Sequence, residues 1–139
     1  KISSLARLQE IKSGKLKDLV KNNKLIVDGS HNEDGARALN EYLQSLDCNK
    51  HIIIGMMANK EHEKYIGYFK NISSITTIDL KTQPNSISGI DLKEKFRGIP
   101  NVQYQPSIEQ AIKSIDCKEG DLLLITGSLY GAAEVLKLN

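Results

Sequence analysis

The stretch Lys24-Leu25-Ile26-Val27-Asp28-Gly29-Ser30-His31-Asn32 decides how the rest of the chain is read. Its first four residues form a short apolar, β-branched run that stops at Asp28-Gly29, the pattern of a buried strand reaching a turn. Beyond it, Ala36, Leu39, Leu43 and Leu46 recur at spacings of three and four, so the segment from about Glu33 to Leu46 has an apolar face at the helical period. A strand therefore runs through a polar loop into an amphipathic helix.

Downstream the same unit returns. His51 to Gly55 is a second Ile-rich run, and Ile66, Phe69 and Ile72 mark the buried side of a helix predicted to start near Lys60. Ile75 to Leu80 is a third run. After a loop containing Pro84, Leu92 and Phe96 predict a short helix stopped by Gly98, with Pro100 just past it. Val102 to Tyr104 reads as a short strand. Pro106-Ser107 opens a helix with a Ser107-x-x-Gln110 capping box and a face of Ile108, Ala111, Ile112 and Ile115. Leu122 to Thr126 is the last strand, and Gly127-Ser128 leads into a final helix. Short apolar strands alternating with helices predict an α/β, Rossmann-like fold: a mostly parallel sheet of five or six strands with helices on both faces.

Upstream of the deciding stretch, residues 1–23 are polar and lysine-rich, with only a weak Leu5, Leu8, Ile11 pattern. They read as a leading segment that lies on, and belongs to, a domain running from 24 to 139. No linker or composition shift marks a second domain, and 139 residues suit one compact unit. Lys1 in place of an initiator Met points to further sequence upstream.

The totals exclude several classes. With 40% hydrophobic and 26% charged residues the composition is that of a folded globular chain. A net charge of +2, with the basic residues scattered, gives no arm or stripe for nucleic acid. No apolar run reaches membrane-span length, and no signal peptide opens the chain. Cys48 and Cys117 match neither a zinc pattern nor a disulfide framework, so a reduced, soluble, cytoplasmic protein is expected.

In an open parallel sheet, ligands collect at the carboxyl ends of strands, where loops turn into helix N-termini. Two loops here are rich in chemistry. Residues 28–32 put a carboxylate, an imidazole and an amide within one turn of a helix start. An aspartate there suits ribose hydroxyls, because an ionised carboxylate offers only acceptors, and His31 can donate to a phosphate or carboxylate. The same residues also fit a ligand-free reading in which Asn32 caps the helix, or Ser30 and Glu33 form a capping box. The second loop, Thr126-Gly127-Ser128-Leu129-Tyr130, offers backbone N–H groups, the Ser128 hydroxyl and a helix dipole to an anion, or simply Ser128 as an N-cap. Lys60, after the turn Gly55-Met56-Met57-Ala58-Asn59, either meets an anionic ligand or stands exposed.

Absences narrow the field. Neither the dinucleotide fingerprint G-x-G-x-x-G after the first strand nor the P-loop G-x-x-x-x-G-K-[ST] is present. Cys48, His51 and His62 make a poor zinc set, so no metal ligand is assigned. Cys117 lacks a histidine neighbour in sequence and reads as a small buried hydrophobe.

Taken in order, four segments resemble the C-terminal domain of folylpolyglutamate synthase and dihydrofolate synthase, within the Mur ligase superfamily. Leu5-Ala6-Arg7-Leu8-Gln9 is similar to that family's Pro-Ala-Arg-Leu or Gly-Arg-Leu segment. Ile26-Val27-Asp28-Gly29-Ser30-His31-Asn32 resembles its Asp-Gly-Ala-His-Asn-Pro motif, with Ser30 for alanine and Glu33 for proline. Gly55-Met56-Met57-Ala58-Asn59-Lys60-Glu61 is similar to Gly-Met-Met followed by Asp-Lys-Asp, with Asn59 and Glu61 in place of the two aspartates. Gly127-Ser128-Leu129-Tyr130 resembles the closing Gly-Ser-Leu-Tyr.

The resemblance implies a ligase that uses ATP and Mg2+ to phosphorylate the carboxylate of dihydropteroate or a reduced folate, after which the amine of L-glutamate attacks the acyl phosphate. It further implies a covalently linked upstream domain carrying the P-loop and metals, an inactive isolated C-terminal domain, and a monomer. Arg7, Asp28 and His31 match nucleotide-contacting positions. His31, Ser128, Tyr130 and, less directly, Lys60 match positions that hold glutamate or the phosphate end. His31 is also the one titratable candidate for a catalytic role. A cell-wall Mur ligase domain and a non-catalytic Rossmann-like binding module are the competing expectations.

Overall fold

The structure, a computed structural model, describes residues 7–139. Among the described residues six strands alternate with six helices. In chain order they are β1 (Gln9–Glu10), α1 (Lys15–Val20), β2 (Lys24–Val27), α2 (Glu33–Gln44), β3 (Lys50–Ile54), α3 (His62–Gly67), β4 (Ser74–Thr77), α4 (Gly89–Lys95), β5 (Val102–Tyr104), α5 (Ile108–Ser114), β6 (Leu122–Thr126) and α6 (Leu129–Leu138). One sheet contains all six strands in the order β1-β2-β6-β3-β4-β5. Every pair is parallel except β1 with β2. The Rossmann-like α/β fold with a mostly parallel sheet is therefore the observed one.

Alternation along the central strands divides the core in two. Leu25, Val27, Ile53, Leu123 and Ile125 face one side, where Leu16, Ile108, Ala111, Ile112, Ala132 and Val135 of α1, α5 and α6 cover them. Ile26, Ile52, Ile54, Leu122 and Leu124 face the other, against Ala36, Leu39, Leu43, Tyr65, Ile66 and Leu92 of α2, α3 and α4. Both faces are covered, which is why β3 and β6 are buried along their whole length and carry unbroken apolar runs at residues 52–54 and 122–125. Each fully buried Leu or Ile contributes about 1.5–3 kcal/mol relative to exposure.

Four local features differ from the sequence expectations. The leading segment supplies an edge strand and a helix, and Ile11, Leu16 and Val20 enter the core. Leu5 and Ala6 of the first motif lie outside the described residues. The third strand ends at Thr77 rather than Leu80; beyond it Asp79 accepts from the Gly89 N–H at 2.7 Å and the Tyr104 hydroxyl at 2.5 Å, tying the chain to α4 and β5 instead of extending the ladder. The helix predicted from near Lys60 runs from His62 to Gly67. Phe69 lies past its end, yet stays buried through an edge-to-face contact with Tyr65 at 5.4 Å. At α5, Ser107 accepts from the Gln110 N–H at 3.1 Å, the N-cap half of the expected box. Among the described residues no helix is long and apolar enough to cross a membrane.

Candidate functional site

The strand order brings the motif loops together. Because β6 inserts between β2 and β3, the carboxyl ends of β2, β6 and β3 are neighbours, and this reversal of direction is where open α/β sheets form their crevice. The loops after these strands are also tied backbone to backbone. Gly127 N–H donates to the Ser30 carbonyl at 3.1 Å, Asp28 N–H to Ile125 at 2.9 Å, and Gly55 N–H to Thr126 at 3.4 Å. Gly127 takes φ +105, and a Cβ there would stand 2.6 Å from the Gly55 carbonyl oxygen, so only glycine fits the approach.

Beneath the loops lies a small polar cluster within the apolar core. The Tyr65 hydroxyl, on a ring that is 1% exposed, sits 2.8 Å from Ser30 Oγ and 2.7 Å from Thr126 Oγ1. Burial drives the Tyr65 phenol well above its ordinary range, partly opposed by those two hydrogen bonds, so it remains neutral. On the third loop, His62 Nε2 lies 3.0 Å from the Met57 carbonyl, and Ala58 N–H donates to Asn85 at 2.9 Å.

Asp28 is buried, and its carboxylate organises the first loop. One oxygen accepts from Ser30 N–H at 2.8 Å and the other from Leu8 N–H at 2.9 Å, which holds the leading segment, and with it Arg7, beside the loop. Each oxygen retains further acceptor capacity. Of the two capping alternatives, Asn32 is realised: its side chain accepts from Gly35 N–H at 2.9 Å. The Ser30–Glu33 box is not formed, because the Ser30 hydroxyl is engaged with Tyr65. Ser128 likewise caps α6, its Oγ accepting from Tyr130 N–H at 3.1 Å and Gly131 N–H at 3.3 Å. Both acceptances leave the Ser128 proton available to a ligand.

Two clefts open over these loops. The first, about 370 Å³, is lined by Arg7, Asp28, His31, Asn32, Asp34 and Leu129 among others. The second, about 780 Å³, is lined by His31, Met57, Lys60, Ser128, Tyr130 and the turn 84–86. His31 and Leu129 belong to both and form the wall between them. Among the described residues Lys60 is the sole lining residue of fixed charge in the second cleft, so that cleft favours an anion. Burial first, and then the Lys60 ammonium, hold the His31 imidazole below its ordinary range, against a backbone contact that works the other way. His31 Nδ1 is buried with no hydrogen-bond partner among the described residues, the kind of orphaned atom that a ligand satisfies.

All six residues singled out from the sequence thus line the clefts, and they sort into two groups: Arg7, Asp28 and His31 around one, and His31, Lys60, Ser128 and Tyr130 around the other. Sequence reading missed the turn 84–86, which reaches the site through the isolated bridge of Met57 with Ser86, and it missed Tyr65. No motif marks the turn. Tyr65 was visible only as a polar-tipped residue beside Ile66 on an apolar helix face.

The model of the family described as "Mur ligase, glutamate ligase domain" matches residues 9–129. The "Dihydrofolate synthase/folylpolyglutamate synthase" of Bacillus subtilis is 26% identical over 128 residues, covering 89% of this chain and 30% of the relative. The "Probable bifunctional folylpolyglutamate synthase/dihydropteroate synthase" of Haloferax volcanii is 26% identical over 117 residues, covering 79% of this chain and 14% of the relative. The chain thus spans less than a third of either relative's length. The crystal structure of a bifunctional folylpolyglutamate synthase/dihydrofolate synthase from Yersinia pestis, complexed with AMPPNP and a Mn ion, shares the fold. It has a TM-score of 0.76 at 21% identity, over 95% of this chain and 30% of that one.

Proposed function

Because the chain belongs to the Mur ligase, glutamate ligase domain family, we propose that it is the C-terminal domain of an ATP-dependent ligase that adds L-glutamate to dihydropteroate, to folate (poly)glutamates, or to both. A carboxylate does not react with an amine until one of its oxygens becomes a leaving group. ATP supplies that group: the substrate carboxylate takes its terminal phosphoryl to give an acyl phosphate. The glutamate amine then attacks the carbonyl, phosphate departs, the C–N bond forms and the amine proton is lost.

The observation that carries this reading is the pair of adjoining clefts with His31 as common wall and its Nδ1 unpartnered among the described residues. The first cleft suits part of a nucleotide: Asp28 has acceptor capacity for ribose hydroxyls and Arg7 offers a guanidinium to phosphate oxygens. The second suits glutamate, with the Lys60 ammonium, the Ser128 hydroxyl and the Tyr130 phenol able to meet its carboxylates. Between them, a neutral His31 is in the state that can accept the amine proton.

No residue of this chain is assigned to Mg2+ or to the triphosphate as a P-loop would hold it. An upstream, covalently joined P-loop domain takes those roles, and this chain closes over it. The isolated chain is then inactive, and the complete protein works as a cytoplasmic monomer.

The test is an assay of the full-length protein with ATP, Mg2+ and radiolabelled L-glutamate, offering dihydropteroate or tetrahydrofolate as acceptor. Amide-linked label in either acceptor, with one ADP released per bond, is the expected result. Label transferred only to a nucleotide-linked cell-wall peptide would move the chain to the other Mur ligase branch. Full activity after Asp28→Ala or His31→Ala would remove these loops from the ligase site.

A further inference from the structure

At the opposite end of the strands from the clefts, the amino-terminal ends of β3 and β6 carry a second constellation. His51 is the second residue of β3, Asp121 immediately precedes β6, and Cys117 lies in the loop from α5 to β6. One donor atom of each, the imidazole nitrogen, the carboxylate oxygen and the thiol sulfur, lies within 4.8 Å of the other two. We propose that His51, Cys117 and Asp121 form a binding site for a borderline transition-metal cation of the zinc class, separate from the ligase chemistry.

The donor set selects the ion. Nitrogen, sulfur and carboxylate oxygen together suit Zn2+ and its neighbours, whereas Mg2+ and Ca2+ demand oxygen ligands. His51 Nε2 and Asp121 Oδ2 are 3.0 Å apart, close to the ligand–ligand edge of roughly 3.3 Å that tetrahedral bonds of about 2.0–2.1 Å require. Three protein ligands leave the fourth position for water.

The supporting contacts are those of a built site. His51 Nδ1 lies 2.7 Å from Ser74 Oγ on the neighbouring strand β4, which fixes the ring plane. Asp121 Oδ2 accepts from the Lys118 N–H at 3.0 Å, which fixes the carboxylate. His51 and Asp121 are 8% and 4% exposed, while Cys117 is half-buried and lines a cleft of about 370 Å³ together with Asn23, Asp116 and Glu119. That cleft gives a cation a route to the thiol.

Coordination balances simply. The imidazole proton resides on Nδ1, where Ser74 Oγ accepts it, leaving the Nε2 lone pair for the metal. The thiol releases its proton to solvent, and thiolate plus carboxylate neutralise the divalent charge within a largely buried site.

The experiment is a Co2+ titration of the metal-free protein, followed by optical absorption. Expected are one equivalent of tetrahedral Co2+, a near-ultraviolet thiolate-to-cobalt charge-transfer band, and loss of both on adding Zn2+. Cys117→Ala, checked for folding by circular dichroism, is expected to lose the charge-transfer band, and Cys48→Ala to retain it. Absence of a thiolate-to-cobalt band in the parent protein, or its persistence in Cys117→Ala, would overturn the proposal.

Discussion

The Tyr65 hydroxyl lies 2.8 Å from Ser30 Oγ, joining α3 to the loop after β2 across thirty-five positions of chain. The same hydroxyl reaches Thr126 at the end of β6, so one phenol fastens two loops of the candidate site from below. Tyr65→Phe keeps the ring and deletes both bonds, leaving the buried Thr126 hydroxyl short of a partner. A loss of about 1–3 kcal/mol is expected, seen as a lower urea midpoint at unchanged slope. An unchanged midpoint would mean that the hydroxyl fastens nothing.

Two serine caps separate stability from function. Ser107→Ala and Ser128→Ala each remove an N-cap and are each expected to cost about 1 kcal/mol. Ser107 caps α5 and lines neither cleft; Ser128 caps α6 and lines the second. In the complete enzyme only Ser128→Ala is expected to raise KM for glutamate. Equal kinetic effects would show that loss of helix stability alone disturbs the site.

Two positive-φ glycines make a matched pair. Gly98 has φ +96 and open space where a Cβ would stand, whereas at Gly127, φ +105, a Cβ would meet the Gly55 carbonyl at 2.6 Å and Ile54 Cγ1 at 2.7 Å. Gly98→Ala is expected to cost about 1–3 kcal/mol of backbone strain, and Gly127→Ala clearly more. Thermal unfolding of the two variants checks the ranking.

His31 gives a pH signature. Its folded pKa lies below the ordinary 6.5, with burial the larger cause and Lys60 the second. Well above pH 6.5 neither folded nor unfolded state binds this proton, and the His31 contribution to stability is constant. As pH falls below 6.5 the unfolded state takes the proton first, so stability drops until the pH passes the folded value. NMR titration of the imidazole should give a midpoint under 6.5, and Lys60→Gln should raise it without restoring the ordinary value, because burial remains. A Lys60→Gln midpoint identical to the parent's would place Lys60 too far away to act.

Much of this was legible because period and punctuation agree. The runs at residues 24–27 and 122–126 are buried strands, and Ala36, Leu39 and Leu43 are the buried face of α2. The pairing of β6 between β2 and β3 was not legible, since strand order is set by long-range packing that leaves no local mark; the convergence of three loops became visible only in the fold. The edge strand Gln9–Glu10 escaped because two polar residues held by backbone bonds to β2 carry no alternation. Spacing was also silent at His51: Cys48, three positions away in sequence, is rightly set aside as a ligand, but the approach of the Cys117 thiol to the imidazole, across sixty-six positions of chain, leaves no local mark. Residues 28–32 and 126–130 supported both ligand and capping readings, and Asn32 and Ser128 do cap their helices while lining the clefts.

The division of the site into two clefts is tested most directly by steady-state kinetics of the full-length enzyme carrying Arg7→Ala or Lys60→Ala, with ATP and glutamate varied separately. Arg7→Ala is expected to raise KM for ATP and leave that for glutamate near the parent value; Lys60→Ala should do the reverse. Kinetic constants unchanged by both substitutions, or shifted for the opposite substrate, would contradict the assignment of a nucleotide and a glutamate to the two sides of His31.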